Sequence, residues 1–189
     1  MPETRLAFRG SVNFSELAEY ARSRDWAAET PSAHPVPGTE PQEADAYVFA
    51  WRSGSHGTAR FIDDEVTEVQ FIIFQGVESQ AQAALLSNNF PTMTYEDCLD
   101  SLAGDISDEE REKSLETLGA IAPRDYDSSV HEAVSKGLDG NSSTIRSAAI
   151  SATLQLSWTE LRAPLMRVAT SDPDPNNRAV ASNVLHALP

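Results

Sequence analysis

Few of the residues able to do chemistry are spaced to do it together. The four histidines, His34, His56, His131 and His186, never recur at the four-residue interval that aims two imidazoles at one zinc ion. The single cysteine, Cys98, can form neither a thiolate cluster nor an internal disulfide, and no activating base lies near it in sequence. It reads as a buried, inert thiol and fits a reducing compartment. No phosphate-cradling glycine loop, nucleophile elbow or HExxH helix occurs. Asp105, Asp108, Glu109 and Glu110 gather carboxylates as a cation site would, but without the ligand order of an EF-hand loop. Asp108, Glu109 and Glu110 also fall in the first turn of an expected helix, where negative charge complements the dipole. The expectation is therefore no catalytic residue, no cofactor and no metal: not an enzyme.

What remains is charge. There are 29 acidic and 14 basic residues, a formal net charge of −15. Such a surface repels phosphate backbones and anionic lipid, so neither nucleic acid nor membrane is an expected partner, whereas a basic protein is. Two acidic groups are the candidate contacts: Asp63, Asp64, Glu65 and Glu68 in a hairpin region, and Asp97, Asp100, Asp105 and Asp108 further along. Trp158 joins them as an anchor candidate if exposed, while Trp26 and Trp51 are expected in the core. There is no apolar run near the length of a membrane-spanning helix, and MPETRLAFRG carries no apolar leader core. The expected location is cytoplasmic.

The elements that must position these residues fall into two expected domains, in an α+β fold. In residues 1–90 a strand is expected over Arg5 to Val12. Asn13 and Glu16 are spaced as a capping box for a helix reaching Trp26, with Phe14, Leu17, Ala18 and Ala21 on its apolar face. Pro31, Pro35, Pro37, Gly38 and Pro41 make 27–44 an extended loop. Tyr47 to Trp51 and Thr58 to Ile62 read as a hairpin closed by Ser53–Gly57. After a turn at Asp63-Asp64, Val66 to Phe74 reads as a third strand of an antiparallel meander, buried on both faces near its end. A helix over 77–87 would present Val77, Ala81, Ala84 and Leu85.

From Thr94 onward the pattern predicts helices over 94–103, 107–121, 128–138, 142–156, 158–170 and 174–188. Segments beginning at Arg111, Arg146 and Arg178 align. Each arginine falls in a first turn, follows a capping stretch (Ser107-Asp108, Asn141-Ser142, Asp174-Pro175-Asn176) and opens a helix of small residues. Ala148, Ala149, Ala152, Ala179 and Ala181 would let such helices approach closely.

Residues 94–189 thus resemble the HEAT family of helical repeats, most closely in Asn141–Ile150 and Asp172–Arg178. The resemblance implies a C-terminal α-helical stack in which Arg111, Arg146 and Arg178 are scaffold, Pro164 bends a first helix, and the N-terminal α+β unit caps the stack. It also implies a concave ridge suited to a protein partner. Small acidic chains of this kind resemble bacterial immunity proteins, which neutralise a toxin or enzyme domain by covering it. A general adaptor or regulatory subunit is the alternative. A HEAT-like enzyme acting on nucleic acid is disfavoured by the charge.

Overall fold

The computed structural model describes residues 1–29, 46–52 and 57–189. Most of the proline-rich loop expected over 27–44 lies outside these residues, as do His34 and His56. The architecture is α+β, with two compact units, Met1–Met93 and Thr94–Pro189.

In the first unit, β1 (Glu3–Phe8), β2 (Ala27–Ala28), β3 (Ala46–Arg52), β4 (Thr58–Asp64), β5 (Val69–Gln75) and β6 (Thr92–Met93) form one antiparallel sheet in the order β2-β3-β4-β5-β1-β6. The meander β3-β4-β5 follows from short turns between β-branched and aromatic runs. The insertion of β1 between β5 and β6 is non-local: Leu6 pairs with Ile72 and Ala7 with both Phe71 and Met93. Along β5 the consecutive residues Ile72, Ile73 and Phe74 are buried, Ile72 and Phe74 on the core face and Ile73 on the other.

Two helices, α1 (Phe14–Ser23) and α2 (Ser79–Ser87), belong to this unit. Its core gathers Leu6, Phe8, Phe61, Ile72 and Phe74 of the sheet with Leu17 and Ala21 of α1 and Ala83 and Leu86 of α2. Asn13 caps α1 by accepting from the Ser15 backbone N–H at 2.8 Å. Trp26 and Trp51 are buried there as expected. The expected face of α2 is displaced. Val77 lies before the helix and is 83% exposed, Ala81 and Ala84 point outward, and Ser79, Ala83 and Leu86 are buried. A helix so rich in alanine offers several nearly equivalent apolar stripes, and packing against β1 and β5 buries the one that carries Leu86 rather than the one that carries Leu85.

The second unit is entirely helical: α3 (Tyr95–Ala103), α4 (Asp108–Ile121), α5 (Ser128–Leu138), α6 (Ser143–Leu156), α7 (Arg162–Ser171, after a 3-10 turn at Thr159–Leu161) and α8 (Pro175–Ala187). Local chemistry marks the starts. Thr94 with Asp97, and Ser107 with Glu110, form reciprocal capping boxes, while Asp127, Ser142 and Asp174 cap α5, α6 and α8. Each such cap satisfies N–H groups that the helix itself leaves orphaned. Pro164 sits in the first turn of α7, just after the 3-10 segment, and not in mid-helix. A first-turn proline removes no internal hydrogen bond.

Consecutive helices pack as hairpins, α3 with α4, α5 with α6 and α7 with α8. The second members form one layer, α4 on α6 and α6 on α8, and the first members another, α3 on α5 and α5 on α7. Gly119 of α4 and Ala152 of α6 approach closely: a Cβ on Gly119 would lie 2.6 Å from the Ala152 Cα. Ala148, Ala149, Ala152 and Ala181 are buried as small residues at these seams. Ala179, expected among them, faces solvent.

The three arginines share one role. Arg111 donates to the carbonyls of Leu102 and Gly104, Arg146 to those of Gly140 and Asn141, and Arg178 to those of Asp172 and Pro173. Each ties the loop before its own helix, where backbone carbonyls would otherwise lack donors. Arg146 also forks onto the buried Asp172, with Nε at 2.6 Å and Nη2 at 3.0 Å from its carboxylate oxygens, so one loop is bound to the next. The hydrogen-bonded Arg146 guanidinium holds the Asp172 carboxyl below the usual carboxylate range.

Two outcomes are expected. An unencumbered helical glycine-to-alanine change stabilises by up to about 1 kcal/mol, but Gly119→Ala should destabilise the protein by about 1–3 kcal/mol, because backbone must move; urea unfolding measures the sign. Asp172→Asn should cost about 3 kcal/mol by leaving Arg146 uncompensated. A depressed folded-state pKa means the unfolded chain takes up the proton more readily. The Asp172 contribution is therefore present at neutral pH and fades as pH falls from about 4 downward. Stability measured against pH should lose part of this acid limb in the variant.

Candidate functional site

A cleft of about 440 Å³ opens in the second unit between α3 and α5. Leu99, Leu102 and Ala103 of α3 form one wall. Ser129, Glu132, Ala133 and Lys136 of α5 form the other. Leu115 of α4 and Ile145 of α6, both buried, form the floor, and Gly137 lets α5 descend onto it, since a Cβ there would lie 2.9 Å from both Leu115 Cδ1 and Ala149 Cβ. Asp108, Arg111 and Asn141 complete the rim.

The electrostatics of the rim are uneven. Lys136 is paired with Glu132 at 2.7 Å, one helical turn away, and that contact holds the Glu132 carboxyl below its ordinary range. Arg111 directs two nitrogens into the α3–α4 loop through the Leu102 and Gly104 carbonyls. Asp108, at the first position of α4, is exposed. The site therefore combines an aliphatic interior with two cations and two carboxylates, Arg111, Lys136, Asp108 and Glu132. Such a volume and lining can take an apolar group and orient it through a few polar contacts.

The sequence candidates divide between the units. Asp63, Asp64, Glu65 and Glu68 belong to the β4–β5 hairpin of the first unit. The expected turn at Asp63-Asp64 is displaced, since both residues still belong to β4 and the chain reverses over 65–68. Asp64 builds that reversal by accepting from the backbone N–H of Val66 at 3.0 Å and of Thr67 at 3.4 Å. Asp63 accepts from Gln70 Nε2 at 2.9 Å, and Gln70 Oε1 in turn accepts from the Val12 N–H at 2.7 Å. Glu68 takes a left-handed backbone conformation with φ of 54°. Glu65 and Glu68 remain exposed.

Asp97, Asp100, Asp105 and Asp108 belong to the second unit, on α3 and its connection into α4. Asp97 is committed to the capping box, accepting from the Thr94 N–H at 2.8 Å. Asp100 shares α3 with the cleft wall, Asp105 lies in the connecting loop, and Asp108 lines the cleft itself; all three are exposed. Trp158 is 6% exposed, its indole N–H donates to the Arg124 carbonyl at 2.9 Å, and Tyr126 packs on it at 5.4 Å between ring centroids. As a buried, satisfied side chain it offers no anchor, and the exposed aromatic at that junction is Tyr126.

Cys98 is fully buried. His131 Nε2 lies 3.3 Å from the Glu160 carbonyl and His186 Nδ1 donates to the Ser182 carbonyl at 2.6 Å. Among the described residues, no three of His, Cys, Asp or Glu are gathered as for a metal ion, and no helix is long and apolar enough to cross a membrane. Comparisons with models of protein families, with curated proteins and with solved structures found no match.

The cleft residues Leu99, Leu102, Ala133 and Gly137 were missed from sequence. The signal available was on α3, where Leu99 and Leu102 are large apolar residues yet only half-buried, an exposure the sequence does not mark. Ala133 and Gly137 carry no such signal, because their role depends on a helix that is not their hairpin partner.

Structural and available carboxylates should separate by stability. Asp97→Ala should cost about 1 kcal/mol through loss of the capping box, whereas Asp100→Asn and Asp105→Asn should each stay within about 0.5 kcal/mol of the parent. Thermal melts at neutral pH measure the difference.

Proposed function

We propose that this chain is a non-catalytic protein-binding module whose C-terminal unit is a HEAT-like stack, and that it binds a basic protein partner in the cytoplasm. On this reading it acts as an immunity or inhibitor protein, covering and neutralising a toxin or enzyme domain. The observation that carries the reading is the set of exposed carboxylates, Asp100, Asp105 and Asp108, on the first hairpin of the helical unit beside an open cleft. Unlike Asp97 and Glu110, they are not spent on helix capping. Carboxylates left without a hydrogen-bond or ion-pair partner in the fold raise the rate of encounter with a cationic surface and discriminate against acidic ones. The repeated arginine-to-loop bonds and the two helical layers support the HEAT-like assignment, since a stack held by its own loops leaves a long helical surface for a partner.

Affinity capture with the tagged chain, at low and moderate salt, tests this beside a variant carrying Asp100→Lys, Asp105→Lys and Asp108→Lys. The expected result is one stoichiometric basic protein whose binding weakens with salt and falls at least about tenfold in the variant. Capture that the three reversals leave unchanged, in amount and in salt dependence, would remove these residues from the interface and the reading with them.

A further inference from the structure

We infer that the α3–α5 cleft is the anchor site of the module, and that it receives an aliphatic side chain carried on a cationic segment of the partner. The inference rests on the protein-binding reading and adds to it the place and chemistry of contact.

Two properties of the cleft select such an occupant. The first is its interior. Leu99, Leu102 and Ala103 of α3 and Ala133 of α5 supply accessible aliphatic surface over the buried floor of Leu115 and Ile145, in a volume that admits one or two side chains rather than a folded element. Covering that surface with an aliphatic group removes water from both partners and is the main source of affinity at a small anchor. The second is the charge around the opening. Lys136 is paired with Glu132, and Arg111, which donates to the loop carbonyls and keeps its charge, is matched in number by Asp108, so the lining itself is neutral and the excess negative charge comes from the rest of the hairpin. Asp108 at the rim, with Asp100, Asp105 and Glu109 on the same hairpin, is exposed and makes no side-chain ion pair among the described residues. An apolar side chain flanked by lysine or arginine satisfies both demands at once. The same side chain flanked by aspartate or glutamate would meet like charge at Asp100, Asp105 and Glu109 beside the opening, on a chain whose net charge is already −15.

The closing experiment uses the full chain, isotope-labelled, titrated with three short synthetic peptides of equal length. One alternates lysine and leucine, one lysine and serine, and one glutamate and leucine. The expected result is saturable binding of the lysine–leucine peptide, with resonance shifts concentrated at Leu99, Leu102, Ala133 and Gly137. Binding of the lysine–serine peptide should be at least about tenfold weaker, and the glutamate–leucine peptide should not bind. Two variants fill the cleft from opposite walls, Ala103→Trp and Ser129→Trp, both at exposed positions. Each should weaken the lysine–leucine peptide by about tenfold or more, while Val180→Trp, on the exposed surface of α8, should not. Helical circular dichroism establishes which variants are folded, and either cleft variant alone suffices.

Equal binding of the lysine–leucine and lysine–serine peptides would overturn the inference by showing diffuse attraction to acidic surface. So would undiminished peptide binding in the folded cleft variants. The captured protein keeps the two readings apart. If it is lost on charge reversal but retained by Ala103→Trp, the cleft inference fails and the protein-binding module stands. If the peptides behave as expected and no protein is captured by the wild-type chain, the cleft stands as a binding site and the module reading fails.

Discussion

The contact between α4 and α6 sets the geometry of the helical unit. At Gly119 the α4 backbone lies against the α6 backbone at Ala152, with no room for a side chain between them. Helices that touch through glycine and alanine pack below the usual interaxial separation. Bringing the second helices this close fixes where the first helices of the same hairpins must lie. The α3 helix ends at Ala103, after which the chain passes through Gly104 and Asp105 into α4. The α3 and α5 helices do not close over Leu115 and Ile145, and the space left above those residues is the cleft. Tight packing in one layer and an opening in the other are thus parts of one arrangement.

The arginines keep that arrangement in register. A helical pair whose connecting loop can shift has no unique stacking position, and hydrogen bonds from Arg111, Arg146 and Arg178 to loop carbonyls remove that freedom at each hairpin. Arg146 and Asp172 add a bond between consecutive loops. Buried charge pairs do more for specificity of arrangement than for net stability, because desolvation offsets most of their attraction. The same division applies to the carboxylates. Asp97, Glu110, Asp127 and Asp174 are tied to N–H groups at helix starts, and Asp64 to a hairpin turn. Asp100, Asp105 and Asp108 carry no such duty, and they stand on the hairpin that walls the cleft.

In the first unit the constraint is different. The sheet owes its middle to β1, which pairs with β5 across most of the unit's sequence and supplies Leu6 and Phe8 to the core. Its two outermost strands are two residues long, short enough to expose few unpaired backbone groups.

What the amino-acid sequence determined by itself was local. The starts of three helices of the second unit were legible in Ser107, Ser142 and Asp174, because a cap bonds to N–H groups two or three residues away. The β3-β4-β5 meander was legible because neighbouring strands joined by short turns pair with each other. The shared role of Arg111, Arg146 and Arg178 as loop ties was legible from their equivalent places after equivalent turns. Tertiary structure alone decided the rest. It placed β1 beside β5, because strand pairing between distant segments leaves no periodic mark in either one. It chose Leu86 rather than Val77 for the buried face of α2, and it buried Trp158, because those outcomes depend on what lies opposite. It made the cleft as well, from residues of four helices whose only common property is their position around one gap, and no local pattern encodes a gap between elements.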